Sequence, residues 1–120
     1  MEGNTVCVVD DDTYVLRSLK EVLASDDIDA ETFNNPRTFL DHMRSHAVKL
    51  AVLDVWMPAQ TGIQLQELLH DLSPQTKVII ITGREDPAIR TVALQLGALA
   101  FLVKPFDDET FLEAVHSAFY

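Results

Sequence analysis

The sequence predicts an α/β fold in which five parallel strands alternate with five helices. One observation is a series of short apolar runs, such as Val78–Ile81, that have no alternating polar face. Strands of this kind are typical of a parallel sheet that is buried on both sides. A second observation is that the segments between the runs carry apolar residues at helical spacing. This alternation indicates one sheet with helices on both faces.

Each predicted strand is followed by a predicted helix. The second helix is indicated by Asn35-Pro36, a cap residue followed by a proline suited to a first helical turn. The other four helices are indicated by apolar stripes. The strands are predicted at Thr5–Val9, Ala30–Phe33, Leu50–Leu53, Lys77–Ile81 and Leu99–Val103. The stripes are Val15, Leu16, Leu19, Val22 and Leu23; Ile63, Leu65, Leu68, Leu69 and Leu72; Ile89, Val92, Ala93 and Leu96; and Phe111, Leu112, Val115 and Phe119.

Residues at the predicted helix ends agree with these elements. Asp12 stands where the first helix needs a cap, and Asp86-Pro87 gives the fourth helix the same start as the second. Thr61 and Gln64 have capping-box spacing at the start of the third helix. Gly97 follows the stripe of the fourth helix, where a left-handed residue ends a helix. Because crossovers between parallel strands are right-handed, few arrangements remain, and we predict the flavodoxin-like order 2-1-3-4-5.

Composition limits the function. A chain of 120 residues has room for one domain, which we predict to occupy residues 1–120. Its 19 acidic and 9 basic residues give a net charge of −10, which argues against binding nucleic acid through this domain. The longest apolar run, Ala98–Val103, is too short to cross a membrane. A single cysteine, Cys7, fits a reducing compartment, so we expect a cytoplasmic protein.

Carboxylate, hydroxyl and ammonium groups follow the carboxyl ends of different predicted strands. Asp10–Asp12 follow the first strand, Asp54 the third, Thr82 the fourth and Lys104 the fifth. Because open α/β sheets bind ligands at this edge, we expect these groups to meet in one site. Clustered carboxylates repel one another unless a cation shares their site, and oxygen ligands suit Mg²⁺. A carboxylate beside such a metal can attack phosphorus, while a lysine and a hydroxyl hold the phosphoryl oxygens.

Four segments carry a resemblance to a known family. They are Val9-Asp10-Asp11-Asp12, Leu53-Asp54-Val55-Trp56-Met57-Pro58 with Gly62, Ile81-Thr82-Gly83, and Phe101-Leu102-Val103-Lys104-Pro105-Phe106. Each segment alone is weak evidence for a family. All four in this order, at the ends of the expected strands, are highly specific for one. Over essentially its whole length the chain resembles the receiver domains of two-component response regulators.

The resemblance implies a phosphoacceptor and a metal site. Asp54 would accept a phosphoryl group from a phosphohistidine of a sensor histidine kinase. Asp11, Asp54 and the backbone carbonyl of Trp56 would bind Mg²⁺, or Mn²⁺ in its place, and Asp10 would act through water. The domain would then be a switch that catalyses only its own phosphotransfer and dephosphorylation, and not a metabolic enzyme.

The resemblance also implies how the signal leaves the site. Lys104 would contact the phosphoryl group ahead of a cis Pro105, and Thr82 with Phe101 would form the switch pair. We expect the face of the fourth helix, fifth strand and fifth helix to change on phosphorylation and to support a homodimer. Leu94, which lies off the core stripe, would be an apolar contact on that face.

The segment Lys104–Leu112 is most similar to FixJ/NarL-type regulators, whose output is a LuxR-type helix-turn-helix domain that binds DNA. This sequence contains no such domain, so we expect either a piece of a longer regulator or a stand-alone receiver. The departures from the family are small. Phe101 stands where many relatives have tyrosine, and the large side chains of Trp56 and Arg84 can alter water access to the phosphoryl group.

Two rival functions remain open. Asp10 and Asp12 form the Asp-x-Asp pattern of a Mg²⁺-dependent phosphohydrolase of the haloacid dehalogenase type, in which Asp10 would be the nucleophile. A flavodoxin-like protein that binds flavin mononucleotide is the other. Its first loop must hold a phosphate with backbone and hydroxyl donors, whereas Asp10–Asp12 would repel one.

Overall fold

A computed structural model describes residues 5–119 and confirms the predicted alternation of strands and helices. None of the helices in this range is long and apolar enough to span a bilayer. The elements are β1 Val6–Val9, α1 Thr13–Ala24, β2 Ala30–Phe33, α2 Pro36–Met43, β3 Leu50–Asp54, α3 Gly62–Leu72, β4 Lys77–Thr82, α4 Pro87–Gln95, β5 Ala100–Val103 and α5 Asp108–Phe119.

The five strands form one parallel sheet in the predicted order 2-1-3-4-5. The register pairs Val9 with Leu53, Asp54 with Ile81, and Thr82 with Val103. The carboxyl ends of β1, β3, β4 and β5 therefore lie side by side. This register brings the candidate site residues to one edge of the sheet.

Two apolar cores cover the two faces of the sheet. Because successive strand residues point to opposite faces, Val8 of β1 lies in one core and Val9 in the other. The core around Val8 includes buried residues of α1 and α5, and the core around Val9 includes buried residues of α2, α3 and α4. Cys7 is a buried free thiol in the core around Val9, as expected of a small apolar side chain.

The predicted caps are present. The Asp12 side chain accepts a hydrogen bond from the Tyr14 backbone N–H, and Asp86 accepts from two backbone N–H groups of α4. Thr61 and Gln64 form the complete capping box of α3. Gly97 has a φ of 97°, which is the left-handed conformation expected after α4.

The strand bounds differ from the prediction by single residues. β1 begins at Val6 and β5 at Ala100, one residue later than predicted. β3 and β4 each extend one residue further, to Asp54 and Thr82. The reason is that these two polar residues still pair across the sheet, so the ladder continues into the site.

The predicted apolar stripes of α3 and α4 were too wide. Leu68, Leu72 and Val92 were assigned to the core, but they are 37%, 71% and 42% exposed. In each helix, fewer of the apolar residues at helical spacing face the sheet than the sequence pattern predicts. In α4, Ala93 is the one fully buried residue, fewer than in any of the other four helices.

Gly62, the first residue of α3, lies directly against the backbone of the strand that carries Asp54. A Cβ added to Gly62 would stand 2.2 Å from the Asp54 carbonyl oxygen. Because that neighbour is backbone, it cannot move aside cheaply. We expect Gly62→Ala to lower the free energy of unfolding by about 1–3 kcal/mol, the usual cost of overpacking, measured by urea denaturation.

Gly83 provides the matched control for this prediction. A Cβ built on Gly83 meets nothing within 4 Å. Gly83→Ala should therefore leave the free energy of unfolding near the wild-type value. Equal effects of the two substitutions would contradict the close approach of α3 to Asp54.

Candidate functional site

The predicted acidic and basic residues meet at the carboxyl edge of the sheet. Lys104 Nζ lies 2.8 Å from Asp10 Oδ2 and 3.2 Å from Asp54 Oδ1. Carboxylate oxygens of Asp10, Asp11 and Asp54 all lie within 4.8 Å of one another. Asp10 and Asp54 are buried, and Asp11 is exposed. The site is therefore a carboxylate cluster that is open to solvent on the side of Asp11.

The chain after β5 brings Lys104 into this cluster. The Lys104 backbone N–H donates to the Thr82 carbonyl oxygen at 2.7 Å, which fixes the residue beside the end of β4. The Lys104–Pro105 peptide bond is cis, as the sequence resemblance implied. The ammonium group then reaches across the ends of β4 and β3 to β1.

Burial and mutual repulsion make the carboxylates harder to ionise. Burial, followed by the charge of Asp10, raises the pKa of Asp54 from 3.8 to about 6, against the opposing effect of Lys104. Burial also raises the pKa of Asp10, although hydrogen bonds from Lys104 and the Asp12 backbone favour its charged form. The cluster thus holds its negative charge at a cost in free energy.

Lys104 offsets part of that charge. Burial alone would lower its pKa, but the hydrogen bonds and charges of Asp10 and Asp54 outweigh burial and raise it. The ammonium therefore remains protonated. The cluster contains three carboxyl groups and one ammonium, so acidic groups are in excess, and the donors are all hard oxygens. Both properties fit a small divalent cation.

The two buried carboxylates differ in the oxygens that they leave free. Asp10 uses Oδ1 to accept the Asp12 backbone N–H and Oδ2 to accept Lys104 Nζ. Asp54 accepts from Lys104 through Oδ1, and no donor within residues 5–119 bonds to its Oδ2. Asp54 therefore has one oxygen that accepts no hydrogen bond from residues 5–119, whereas each oxygen of Asp10 already accepts one.

Comparison with known proteins identifies the fold and the family together. The family model described as the response regulator receiver domain matches residues 6–116. The chain belongs to this family. The receiver resembles the response regulator protein TodT of Pseudomonas putida, with 32% identity over 116 residues that cover 97% of this chain and 51% of that protein.

Two further relatives support the assignment. FixJ of Bradyrhizobium diazoefficiens, a transcriptional regulatory protein, is 32% identical over 94% of this chain and 55% of its own length. The beryllofluoride-activated NtrC4 receiver domain dimer matches with a TM-score of 0.92 and 33% identity, over 97% of this chain and 96% of that one. The resemblance to FixJ-type receivers is thus confirmed. The chain spans about half the length of the curated relatives it matches.

The proposed switch residues of the receiver lie on the sheet face that α4 covers. Thr82 is almost fully buried, and its Oγ1 donates to the Arg84 carbonyl oxygen at 3.1 Å. The same Oγ1 accepts the Arg84 backbone N–H at 3.2 Å. The Phe101 ring is already buried, at 6% exposure, with the Arg90 guanidinium carbon 5.5 Å from its centroid. The Thr82 hydroxyl is therefore engaged in its own turn and not with Lys104.

The large side chains at the edge of the site contact one another. The Arg84 guanidinium carbon lies 4.4 Å from the centroid of the Trp56 ring, and this ring is 40% exposed. A cation–π contact of this kind at an exposed position contributes about 0.5–1 kcal/mol. It joins the loop after β3 to the loop after β4.

Sequence reasoning identified Trp56 and Arg84 separately but missed their contact, because nothing in either segment specifies the other. It also missed Gln66 of α3, which is buried, with its amide bonded to the Ala93 carbonyl oxygen of α4. A polar residue beside an apolar stripe indicates a solvent-exposed face, so no local signal marked Gln66 as buried.

Replacing Asp54 with Asn should stabilise the metal-free receiver at neutral pH. The pKa of Asp54 is raised from 3.8 to about 6, so the folded state keeps a proton that the unfolded chain releases between these values. The stability that this group contributes is present below its unfolded pKa and is lost as the pH rises towards 6. We expect Asp54→Asn to exceed the wild type in unfolding free energy by about 2 kcal/mol near neutral pH, and by less in acid.

Urea denaturation in the presence of a chelator, at about pH 4 and about pH 7.5, measures this difference. Asp71→Asn, which replaces an exposed carboxylate of α3, serves as the control and should show no such dependence. The difference in unfolding free energy between Asp54→Asn and wild type could also be the same at both pH values. That result would show that folding does not raise the pKa of Asp54.

Proposed function

We propose that residues 1–120 form one receiver domain that accepts a phosphoryl group on Asp54 from a phosphohistidine of a sensor histidine kinase. The observation that carries this proposal is the free Oδ2 of Asp54 beside the Lys104 ammonium. Both oxygens of Asp10 are bonded, which counts against a phosphohydrolase with Asp10 as nucleophile. The acidic cluster likewise counts against a flavin phosphate at the same edge.

The chemistry requires one bond to form and one to break. An Asp54 carboxylate oxygen attacks phosphorus while the bond between phosphorus and the kinase imidazole breaks, and the imidazole leaves with the electron pair. With a pKa of about 6, Asp54 is mostly ionised near neutral pH and is ready to attack. Lys104 supplies a fixed positive charge for the phosphoryl oxygens, beside the two buried carboxylates.

The residues that would hold Mg²⁺, or Mn²⁺, are Asp11, Asp54 and the Trp56 backbone carbonyl, with Asp10 acting through water. The hard-oxygen donors and the excess of acidic over basic groups in the cluster support this assignment. When bound, the cation offsets charge on the cluster and on the phosphoryl oxygens. Asp11 is the exposed member, so it faces the side from which an ion enters.

The signal would leave through the α4-β5-α5 face. Thr82 ends β4, and its hydroxyl must give up the bond to Arg84 in order to reach a phosphoryl oxygen on Asp54. Phe101 lies on the same face of the sheet and, as its partner in the switch, fills the space that this movement leaves. Val92, Leu94 and Leu99 are exposed apolar groups in α4 and beside β5. They support a phosphorylation-dependent homodimer with this face as its interface.

The domain would act in the cytoplasm as part of a longer transcriptional regulator with a DNA-binding output domain of the LuxR type. Support comes from the curated relatives, which are about twice as long and include proteins named as transcriptional regulators. A stand-alone receiver that acts through protein contacts is the alternative. With a net charge of −10, the domain itself would bind neither nucleic acid nor a membrane.

Asp54→Asn should abolish labelling by acetyl phosphate in the presence of Mg²⁺. An amide cannot form an acyl phosphate, so the substitution removes the acceptor itself. Intact-protein mass should show one added phosphoryl group in the wild type and in the Asp71→Asn control, and none in Asp54→Asn. Equal labelling of Asp54→Asn and wild type would place the nucleophile elsewhere.

Trp56, the only tryptophan, should report Mg²⁺ binding through its fluorescence. Its ring is partly exposed at the edge of the site, and its carbonyl is an assigned ligand. Asp11→Asn should weaken the response by about tenfold in Mg²⁺ concentration, since one charge leaves the cation site. A response that persists in Asp11→Asn/Asp54→Asn would belong to a different ion site.

Leu94→Asp should weaken self-association of the phosphorylated domain by about tenfold or more, because it buries a charge in an apolar contact. Thr82→Ala should still take up phosphate but associate poorly. Leu72→Asp is the matched control, since Leu72 is also exposed but belongs to α3. Sedimentation velocity measures all four proteins, and wild-type behaviour in all three variants would exclude the α4-β5-α5 interface.

A further inference from the structure

α4 buries fewer of its residues than any other helix of the domain. Its one fully buried residue is Ala93, and its outer side carries the exposed apolar groups Val92 and Leu94. Its first turn is solvent-exposed apart from the partly buried Ile89. A helix with so little buried surface can change position at low cost in free energy. Any further interaction between α4 and the rest of the domain therefore has a large influence on the position of this helix.

Gln66 of α3 is such a fastening. Its side chain is 2% exposed, and its Nε2 donates to the Ala93 carbonyl oxygen at 3.0 Å. Within residues 5–119 this is the one side-chain hydrogen bond that joins α4 to another element. This hydrogen bond is made to Ala93, which is also the one fully buried residue of α4.

The stability of the fold does not account for a glutamine at this position. The Ala93 carbonyl oxygen already accepts the Ala98 backbone N–H at 3.0 Å, so it would remain bonded without Gln66. Gln66 Oε1 is buried and has no hydrogen-bond partner among residues 5–119, which is an unfavourable state for a polar atom. An apolar side chain of similar length would remove this unpaired acceptor and leave no new one.

We propose that Gln66 is a positioning residue that latches α4 in the arrangement in which the Thr82 hydroxyl is bonded within its own turn, and that phosphorylation must overcome this latch. The inference rests on the proposed output through α4. A bond that is made in one arrangement and lost in the other biases the equilibrium between them by its own free energy. Loss of one hydrogen bond of this kind shifts such an equilibrium by about fivefold.

Gln66→Met tests the latch, because methionine keeps the length of the side chain and removes both polar atoms. Leu69→Met is the matched control, since Leu69 is a buried residue one turn along α3 that makes no such bond. Three quantities are measured: the free energy of unfolding, hydrogen exchange across residues 87–98, and self-association with and without acetyl phosphate. The same three quantities are measured for Gln66→Leu, so that the test still holds if one of the two variants folds poorly.

If Gln66 is a latch, its replacement should change signalling without lowering the free energy of unfolding. Gln66→Met should be at least as stable as the wild type, yet exchange in α4 and self-association of the unphosphorylated protein should each rise by about fivefold. The phosphorylated protein should change little. A purely structural role predicts lower stability instead, with equal effects in both phosphorylation states, and that result would overturn the latch.

The remaining outcomes separate the latch from the proposed function. If phosphorylation changes α4 in the wild type, and both Gln66 variants match the wild type in either state, the latch is wrong and the α4 output stands. If phosphorylation leaves hydrogen exchange in α4 unchanged in the wild type, the proposed output through α4 is wrong. The proposal for Gln66 is then wrong as well.

Discussion

The bridge that Lys104 makes between Asp10 and Asp54 is the interaction on which the site depends. One ammonium group holds two buried carboxylates that would otherwise repel each other at the ends of adjacent strands. Removal of the Lys104 ammonium would leave both carboxylates without a cationic partner, and an uncompensated buried charge costs several kcal/mol. The bridge also fixes β5 relative to β1 and β3, so the sheet edge and the chemistry are maintained by the same contacts.

The surroundings of this bridge leave it incompletely neutralised. Burial raises the pKa values of both carboxylates, and the exposed Asp11 adds further negative charge at the edge. A site in this state favours whatever brings positive charge, and it disfavours a phosphoryl group unless cations are present. The same electrostatic imbalance thus supports a cation site, and a bound cation would also offset the charge of a phosphoryl group.

Sequence reasoning predicted the parts of this arrangement that local rules control. The caps at Asp12 and Thr61 are short-range features that a few neighbouring residues specify. Parallel strands place their carboxyl ends at one edge, so the order of the strands was enough to predict that Asp54 and Lys104 meet. The predictions failed where long-range packing decides. Val92 follows the helical stripe but is exposed, and Gln66 breaks the stripe but is buried against α4.

The contact between Trp56 and Arg84 has a consequence for how this domain tolerates sequence exchange. The ring and the guanidinium come from loops that follow different strands, and each covers the other at the rim of the site. A chimera that takes only the β4–α4 loop from a relative without the arginine would leave an indole uncovered in water. The two loops therefore have to be exchanged together, although they are distant in the chain.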